Sequence, residues 1–276
     1  MFQPTIGTNS SMASTKKVTV PVFVSRKESG EKITVLTAYD HPTAQLFDER
    51  GVDCLLVGDT LGMVVQGHDS TLPVTMDEMV YHTSLVSRGA KRSLVVGDMP
   101  FLSYHTGVDE AVRNAGRLIK EGGADAVKLE GGVVRAETIR AIVDAEIPLM
   151  GHIGLTPQSI RRLGRYHVQR DAEAILADAK AIEHAGAFAV VLESVPLELG
   201  RAVTEALNIP TIGIGAGPHC DGQVLVWQDA FGLNDDFTAR FVKRFADLRT
   251  EFSKGVDAYI REVKEGTFPS SDNSYR

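Results

Sequence analysis

Apolar residues along this chain gather into short runs that each end in an ionisable side chain. Cys54-Leu55-Leu56-Val57 is followed by Gly58-Asp59, and Val95-Val96-Gly97 by Asp98. Val127-Lys128-Leu129 leads to Glu130, Leu149-Met150-Gly151 to His152, and Val190-Val191-Leu192 to Glu193. Runs that do not alternate with polar residues read as strands buried on both faces. The pattern predicts eight strands, at Lys32–Ala38, Asp53–Gly58, Ser93–Asp98, Ala126–Glu130, Ile147–Gly151, Ala187–Leu192, Thr211–Ile214 and Gln223–Trp227.

Helical spacing fills the intervals. Helices are predicted near Thr43–Arg50, Thr75–Gly89, Val108–Glu121, Ala136–Ala145, Asp171–Ala185 and Leu197–Leu207. Thr75-Met76-Asp77-Glu78 has the form of a capping box, and Gly51, Gly122 and Gly186 are helix stops. A last helical region from Asp236 to Lys264 spaces Phe237, Phe241, Phe245, Leu248, Phe252, Val256, Tyr259 and Val263 along one face. Two long loops interrupt this rhythm, one from Asp59 to Val74 and one from Gly151 to Ser159, and loops of such length tend to be functional.

Strands alternating with helices, with no linker between them, predict an α/β fold: a single (β/α)8 TIM barrel over residues 18–276. The segment Val20–Glu31 is expected to cap the barrel bottom, residues 1–17 to form a flexible tail, and the C-terminus to add a helical region. A doubly wound sheet shares the alternation. It concentrates its site at one switch point, however, and so does not account for ionisable groups ending strands two through six.

Composition narrows the class of partner. A net charge of −7 argues against a nucleic-acid surface or an anionic membrane as the main partner. Nothing in the chain approaches a membrane span or the apolar core of a secretory leader, which points to a cytoplasmic protein. Two cysteines, Cys54 and Cys220, make neither a disulfide framework nor a metal-ligand spacing.

The residues ending the strands carry the chemistry. In a barrel they face one basin, so Asp59, Asp98 and Glu130 should converge. One such acid alone would read as a helix cap. Three on successive strands repel one another unless a cation or a shared proton lies between them, and oxygen-only ligands favour a hard ion such as Mg²⁺. Lys128 and Glu130 are two apart and share a strand face, so Lys128 pairs with a neighbouring carboxylate or with an anionic substrate such as an α-keto acid. Glu193 stands apart from the metal acids, as a general base or as a salt-bridged or capping group. His152 is a structural hydrogen-bonding group or a base. The Gly213-Ile214-Gly215-Ala216-Gly217 loop either cradles a phosphate or simply passes close to its neighbours.

Several motifs occur in order: Thr37-Ala38-Tyr39-Asp40, Val57-Gly58-Asp59-Thr60-Leu61-Gly62, Asp98-Met99-Pro100-Phe101, Val127-Lys128-Leu129-Glu130-Gly131-Gly132, and the stretches 151–159 and 209–217. As a set they resemble the ketopantoate hydroxymethyltransferase (3-methyl-2-oxobutanoate hydroxymethyltransferase) family, from about Thr34 to Phe268. The resemblance implies a Mg²⁺-dependent barrel enzyme of pantothenate biosynthesis. Such an enzyme moves a one-carbon unit from 5,10-methylenetetrahydrofolate to 3-methyl-2-oxobutanoate through a Mg²⁺-stabilised enolate, giving 2-dehydropantoate. By match, Asp59, Asp98 and Glu130 would bind the metal. Asp59, Thr60, Asp98 and Lys128 would contact the keto acid, and Glu193 would accept the proton. Thr60 stands where relatives usually carry Ser. The resemblance further implies a homo-oligomer, commonly a decamer. A competing reading is a Mg²⁺-dependent carbon–carbon lyase or mutase of the isocitrate lyase and phosphoenolpyruvate mutase type. Those enzymes typically carry a Lys-Lys-Cys-Gly-His-like loop that this chain lacks.

Overall fold

The computed structural model describes residues 16–234 and 239–275, in two compact units, Met1–Leu225 and Val226–Arg276. The first unit is a closed barrel of eight parallel strands in chain order. The strands are β1 (Ile33–Thr37), β2 (Cys54–Val57), β3 (Leu94–Asp98), β4 (Ala126–Glu130), β5 (Leu149–Gly154), β6 (Ala189–Glu193), β7 (Thr211–Ile214) and β8 (Gly222–Leu225), and β8 closes on β1. Every residue of β2, β3 and β4 is buried, as their unbroken apolar runs require.

The helices of this unit are α1 (Val20–Ser29), α2 (His41–Glu49), α3 (Leu61–Val64), α4 (Met76–Gly89), α5 (Val108–Lys120), α6 (Ala136–Asp144), α7 (Ile160–Leu163), α8 (Ala172–His184) and α9 (Leu197–Ala206). The capping box before α4 forms as expected: Thr75 accepts from Glu78 N, and the Glu78 carboxylate accepts from Thr75 N at 2.7 Å.

The segment preceding β1 is anchored beneath the barrel through one repeated device. Asp53, Asp125 and Asp221 each sit just before a strand and accept a backbone N–H of the strand before it, from Thr34, Val95 and Thr211. Each then takes a cation from the N-terminal segment: Arg26 on Asp53 at 2.6 Å, Lys17 on Asp125 at 2.8 Å and Lys27 on Asp221 at 2.8 Å. Phe23 of α1 is fully buried against Phe188. The cap foreseen at Val20–Glu31 is therefore a helix held by both apolar burial and ion pairs. Lys17, read as the end of the tail, is one of its anchors, whereas residues 1–15 lie outside the described residues.

Several boundaries differ from the sequence reading, and the short helix α3 lies inside the expected Asp59–Val74 loop. Strand β5 runs on to Gly154, so His152 and Ile153 belong to the strand and not to the following loop. Trp227, expected to end β8, instead opens a short helix α10 (Trp227–Ala230) in the second unit. The last helix, α11 (Leu248–Glu265), begins well after Asp236, because Phe241 and Phe245 lie in an irregular segment. Phe237 lies outside the described residues. Asp247 caps α11 by accepting from Thr250 N, a stronger start signal than apolar spacing.

Candidate active site

Strand register assembles the site. Asp98 lies beside Lys128 in the β3–β4 pairing, Glu130 beside His152 in β4–β5, and Gly154 beside Glu193 in β5–β6. Gly154 adopts φ +92°, and a Cβ there would collide with the Glu193 carbonyl, so only glycine lets β5 end against β6. Ser194, directly after Glu193, holds φ +49°. Both of its backbone groups are tied down, its N–H to Ile214 O at 2.8 Å and its carbonyl by Gln169 N at 2.9 Å, and this holds a strained turn beneath the acid.

Asp59, Asp98, Lys128, Glu130 and His152 are each no more than 5% exposed. Lys128 Nζ donates to Asp98 Oδ2 at 2.6 Å, and Asp59 N reaches the same oxygen at 3.4 Å. Burial pulls the Lys128 ammonium down, but the surrounding charges of Asp98, Glu130 and Asp59 outweigh it and the net shift is upward. Burial and then the Asp98 charge push Asp59 up to about 7. Glu130 is raised well above its ordinary value by burial, with Lys128 opposing. Burial, then the Lys128 charge, lowers His152, which favours its neutral form.

His152 stands between two acids, its Nδ1 3.6 Å from Glu130 Oε1 and its Nε2 3.3 Å from Glu193 Oε2. Neither contact has hydrogen-bond geometry. A neutral ring carries one N–H and can serve only one of the two carboxylates at a time. Thr60 is half-buried at the start of α3, with its hydroxyl turned back against Gly58.

Gln158, which sequence reasoning passed over, lies at the centre of the cluster and is 4% exposed. Its Nε2 donates to Asp59 Oδ2 and to Met99 O, both at 2.9 Å, its backbone N donates to Glu130 Oε2 at 3.1 Å, and its Oε1 accepts from the Tyr104 hydroxyl at 2.5 Å. The residue was inside a singled-out motif, but an uncharged side chain in a loop carries no signal of its own. Tyr104, deep in the same network, also accepts from Glu130 N at 3.3 Å.

Among the described residues no three Asp, Glu, His or Cys side chains come together closely enough to hold one ion. Asp98 Oδ1, however, is buried without a hydrogen-bond partner, next to Asp59. Mg²⁺ is commonly held by one or two carboxylates, with water and substrate oxygens completing its shell. Asp59 and Asp98 fit that role, while Glu130 is engaged by Gln158 and faces His152.

The family profile described as ketopantoate hydroxymethyltransferase matches residues 17–271. The chain belongs to the ketopantoate hydroxymethyltransferase family. Membership makes it an enzyme, a hydroxymethyltransferase of pantothenate biosynthesis. A relative from Geobacter metallireducens, 3-methyl-2-oxobutanoate hydroxymethyltransferase, is 57% identical over 264 residues, covering 94% of this chain and 99% of its own. Among solved structures, the phosphoenolpyruvate phosphomutase of Streptomyces platensis subsp. rosaceus superposes with a TM-score of 0.61 at 14% identity, covering 90% of this chain and 88% of its own. A phosphonopyruvate hydrolase in complex with oxalate and Mg²⁺ gives 0.60 at 12% identity, with 92% of both chains covered. These structures share the barrel fold with the ketopantoate hydroxymethyltransferase chain. The lyase and mutase reading rests on that shared fold alone, whereas the family profile and the much closer relative favour the transferase.

Proposed function

We propose that the chain transfers a hydroxymethyl group from 5,10-methylenetetrahydrofolate to 3-methyl-2-oxobutanoate, giving 2-dehydropantoate. The observation that carries this reading is the charge imbalance at the barrel mouth. Three buried carboxylates, Asp59, Asp98 and Glu130, surround one ammonium, Lys128, with Glu193 next to His152 at the edge of the cluster, which suits a divalent cation together with an α-keto acid. Asp59 and Asp98 would hold Mg²⁺, with Glu130 the third acid of the set. Bound there, the ion would polarise the keto oxygen and stabilise negative charge as it develops. Lys128 and the Thr60 hydroxyl orient the keto acid, and the Lys128 charge opposes the charge that builds up on its oxygens. Glu193, outside the Lys128–Asp98 pair and part-exposed at 16%, takes the C3 proton. His152, neutral, steadies Glu193 before transfer and the protonated acid after it. The carbon nucleophile then bonds to the donor's methylene carbon, and water supplies the hydroxyl as both C–N bonds to that carbon break, the C3 proton and a water proton passing to the folate nitrogens, so that tetrahydrofolate and 2-dehydropantoate leave.

Deuterium exchange at C3 of 3-methyl-2-oxobutanoate, followed with Mg²⁺ and without folate, should proceed, and product should form only when the methylene donor is added. Product formation independent of folate would reject the transfer reaction for this site.

Mg²⁺ binding should also depend on pH. The ion needs Asp59 ionised, and its folded value of about 7 lies above the 3.8 of a free carboxyl. Protons therefore compete below neutrality: affinity should rise about tenfold per unit toward pH 7 and level off above it. In chelator the sign is opposite for folding. The native state keeps this proton across that window, so the group's contribution to stability declines as pH rises from about 4 to 7. Calorimetric Mg²⁺ titrations that gave one affinity across about pH 5.5–7.5 would contradict the assignment.

We further place the enzyme in the cytoplasm, as a homo-oligomer of the decameric kind. No described helix is long and apolar enough to cross a membrane. Helix α11 leaves Phe252, Val256, Tyr259 and Val263 exposed, a face suited to a second copy of the chain.

A further inference from the structure

A cleft of about 590 Å³ opens beside the acid cluster, with Glu130 and Gln158 on its inner wall. Small-molecule sites occupy roughly 300–1,000 Å³, and a small keto acid seated at Lys128 would leave this space unused. Two chemically distinct parts of its lining stand out, beside Asp171 and Asp178, whose carboxylates accept from the backbone N–H groups of Ala174 and Val133. One wall is aromatic: Phe101, Tyr104 and His105 pack together, with ring centroids 5.3 Å apart for Phe101–His105 and 4.2 Å for Tyr104–His105. His105 Nδ1 is buried there without a hydrogen-bond partner. The outer part is basic. Arg161 and Arg162 line the cleft, are exposed, and have no ion pair or hydrogen-bond acceptor among the described residues.

Those two arginines belong to an unusual stretch. Residues 160–170 carry four arginines, Arg161, Arg162, Arg165 and Arg170, and no acid, in a chain whose net charge is −7. The stretch is pinned at both sides to the end of β6: Leu155 N donates to Glu193 O at 2.8 Å, and Gln169 N to Ser194 O at 2.9 Å. A basic loop is thus fixed next to the proposed base, above a pocket rich in carboxylates. Its charge cannot serve the acids below, which are buried and already engaged by Lys128 and Gln158. Unpaired guanidiniums at the rim of a cleft are suited to carboxylates, which they bind in a forked, two-bond geometry.

We propose that this cleft is the subsite of the one-carbon donor: its planar ring system lies against Phe101 and His105, which buried Tyr104 backs, and the carboxylates of its glutamyl tail bind Arg161 and Arg162. The assignment rests on the folate-dependent reading above. A donor held this way points its ring end toward Glu130 and Gln158 and its tail outward. Each added γ-linked glutamate brings another carboxylate to the basic loop, so tail length should set affinity.

Binding of tetrahydrofolate monoglutamate and triglutamate to the intact enzyme tests this, alongside C3 deuterium exchange of 3-methyl-2-oxobutanoate. The parent enzyme should bind the triglutamate at least about tenfold more tightly than the monoglutamate, with the advantage shrinking as salt is raised. The double variant R161A/R162A alters only exposed side chains. It should lose that advantage while exchanging C3 at the parent rate. H105A should weaken both forms alike and keep the tail preference. Equal binding of the two forms by the parent, or an unchanged preference in R161A/R162A, would overturn the tail assignment, and undiminished binding in H105A the ring assignment. If the parent binds neither form although C3 exchange persists, the folate reading itself falls.

Discussion

Replacing Glu193 with Gln is expected to lower C3 exchange of the keto acid by about 10²–10⁴-fold, the usual contribution of a positioned general base. The substitution keeps the side chain's size and removes only its capacity to take a proton. His152 Nε2, 3.3 Å away, can still meet the amide oxygen, and the packing of Gly154 against the Glu193 carbonyl involves backbone alone, so the fold should be unchanged. Because Asp59, Asp98 and Lys128 are untouched, binding of Mg²⁺ and keto acid should remain close to that of the parent. The effect should therefore appear in kcat and in exchange and leave keto-acid affinity almost unaffected. Exchange at the parent rate would transfer the role of base elsewhere, with His152 the next group in reach.

Lys128→Met should have the largest effect on stability. Lys128 is 4% exposed and bonds to Asp98 at 2.6 Å. Methionine fills most of the same space but leaves Asp98, Asp59 and Glu130 buried without their ammonium. Removing one partner of a buried ion pair costs about 3–5 kcal/mol, because the remaining charge stays uncompensated. That loss is expected in chelator near pH 8. It should be smaller near pH 5, since the Lys128 charge holds Asp59 down and its removal lets that carboxyl take a proton more readily. Saturating Mg²⁺ should recover part of the loss by supplying positive charge to the same acids. Denaturant titrations in chelator and in Mg²⁺, at both pH values, measure all three effects. A variant as stable as the parent at pH 8 without metal would show that Lys128 is not the counter-charge. Turnover should fall as well, because the proposed keto-acid site loses the ammonium that stands in it beside Asp98.

Glu193 ends an apolar run and Lys128 lies two residues before the end of another, and both are legible without coordinates. A strand buried on both faces needs an unbroken apolar run, and its end is where a charge can reach solvent or a ligand. Asp59, Asp98, Lys128, Glu130, His152 and Glu193 were found on this basis. The two-residue spacing also placed Lys128 and Glu130 on one face. Helix starts with side-chain caps, such as Thr75, were equally local and equally readable.

Pairings that depend on distant segments were not. Gln158 bonds to Asp59 across 99 positions and to Met99 across 59, and no periodicity links such residues. The sequence proposed Asp59, Asp98 and Glu130 as one equivalent set. The structure joins Asp98 to Lys128 and Asp59 to Gln158, and turns Glu130 to Gln158 and His152. Parallel register decides which side chain stands beside which, and each strand's register is set by its neighbours. Trp227 and the start of α11 were misjudged for a related reason: apolar spacing continues past the point where backbone hydrogen bonding changes. The order of strands and helices, and the charges brought to one end of the barrel, follow from burial along single segments and so can be read from the chain alone. How those charges are paired, and where the basic loop and aromatic wall meet, depend on close approach between segments far apart in the chain and emerge only in the folded barrel.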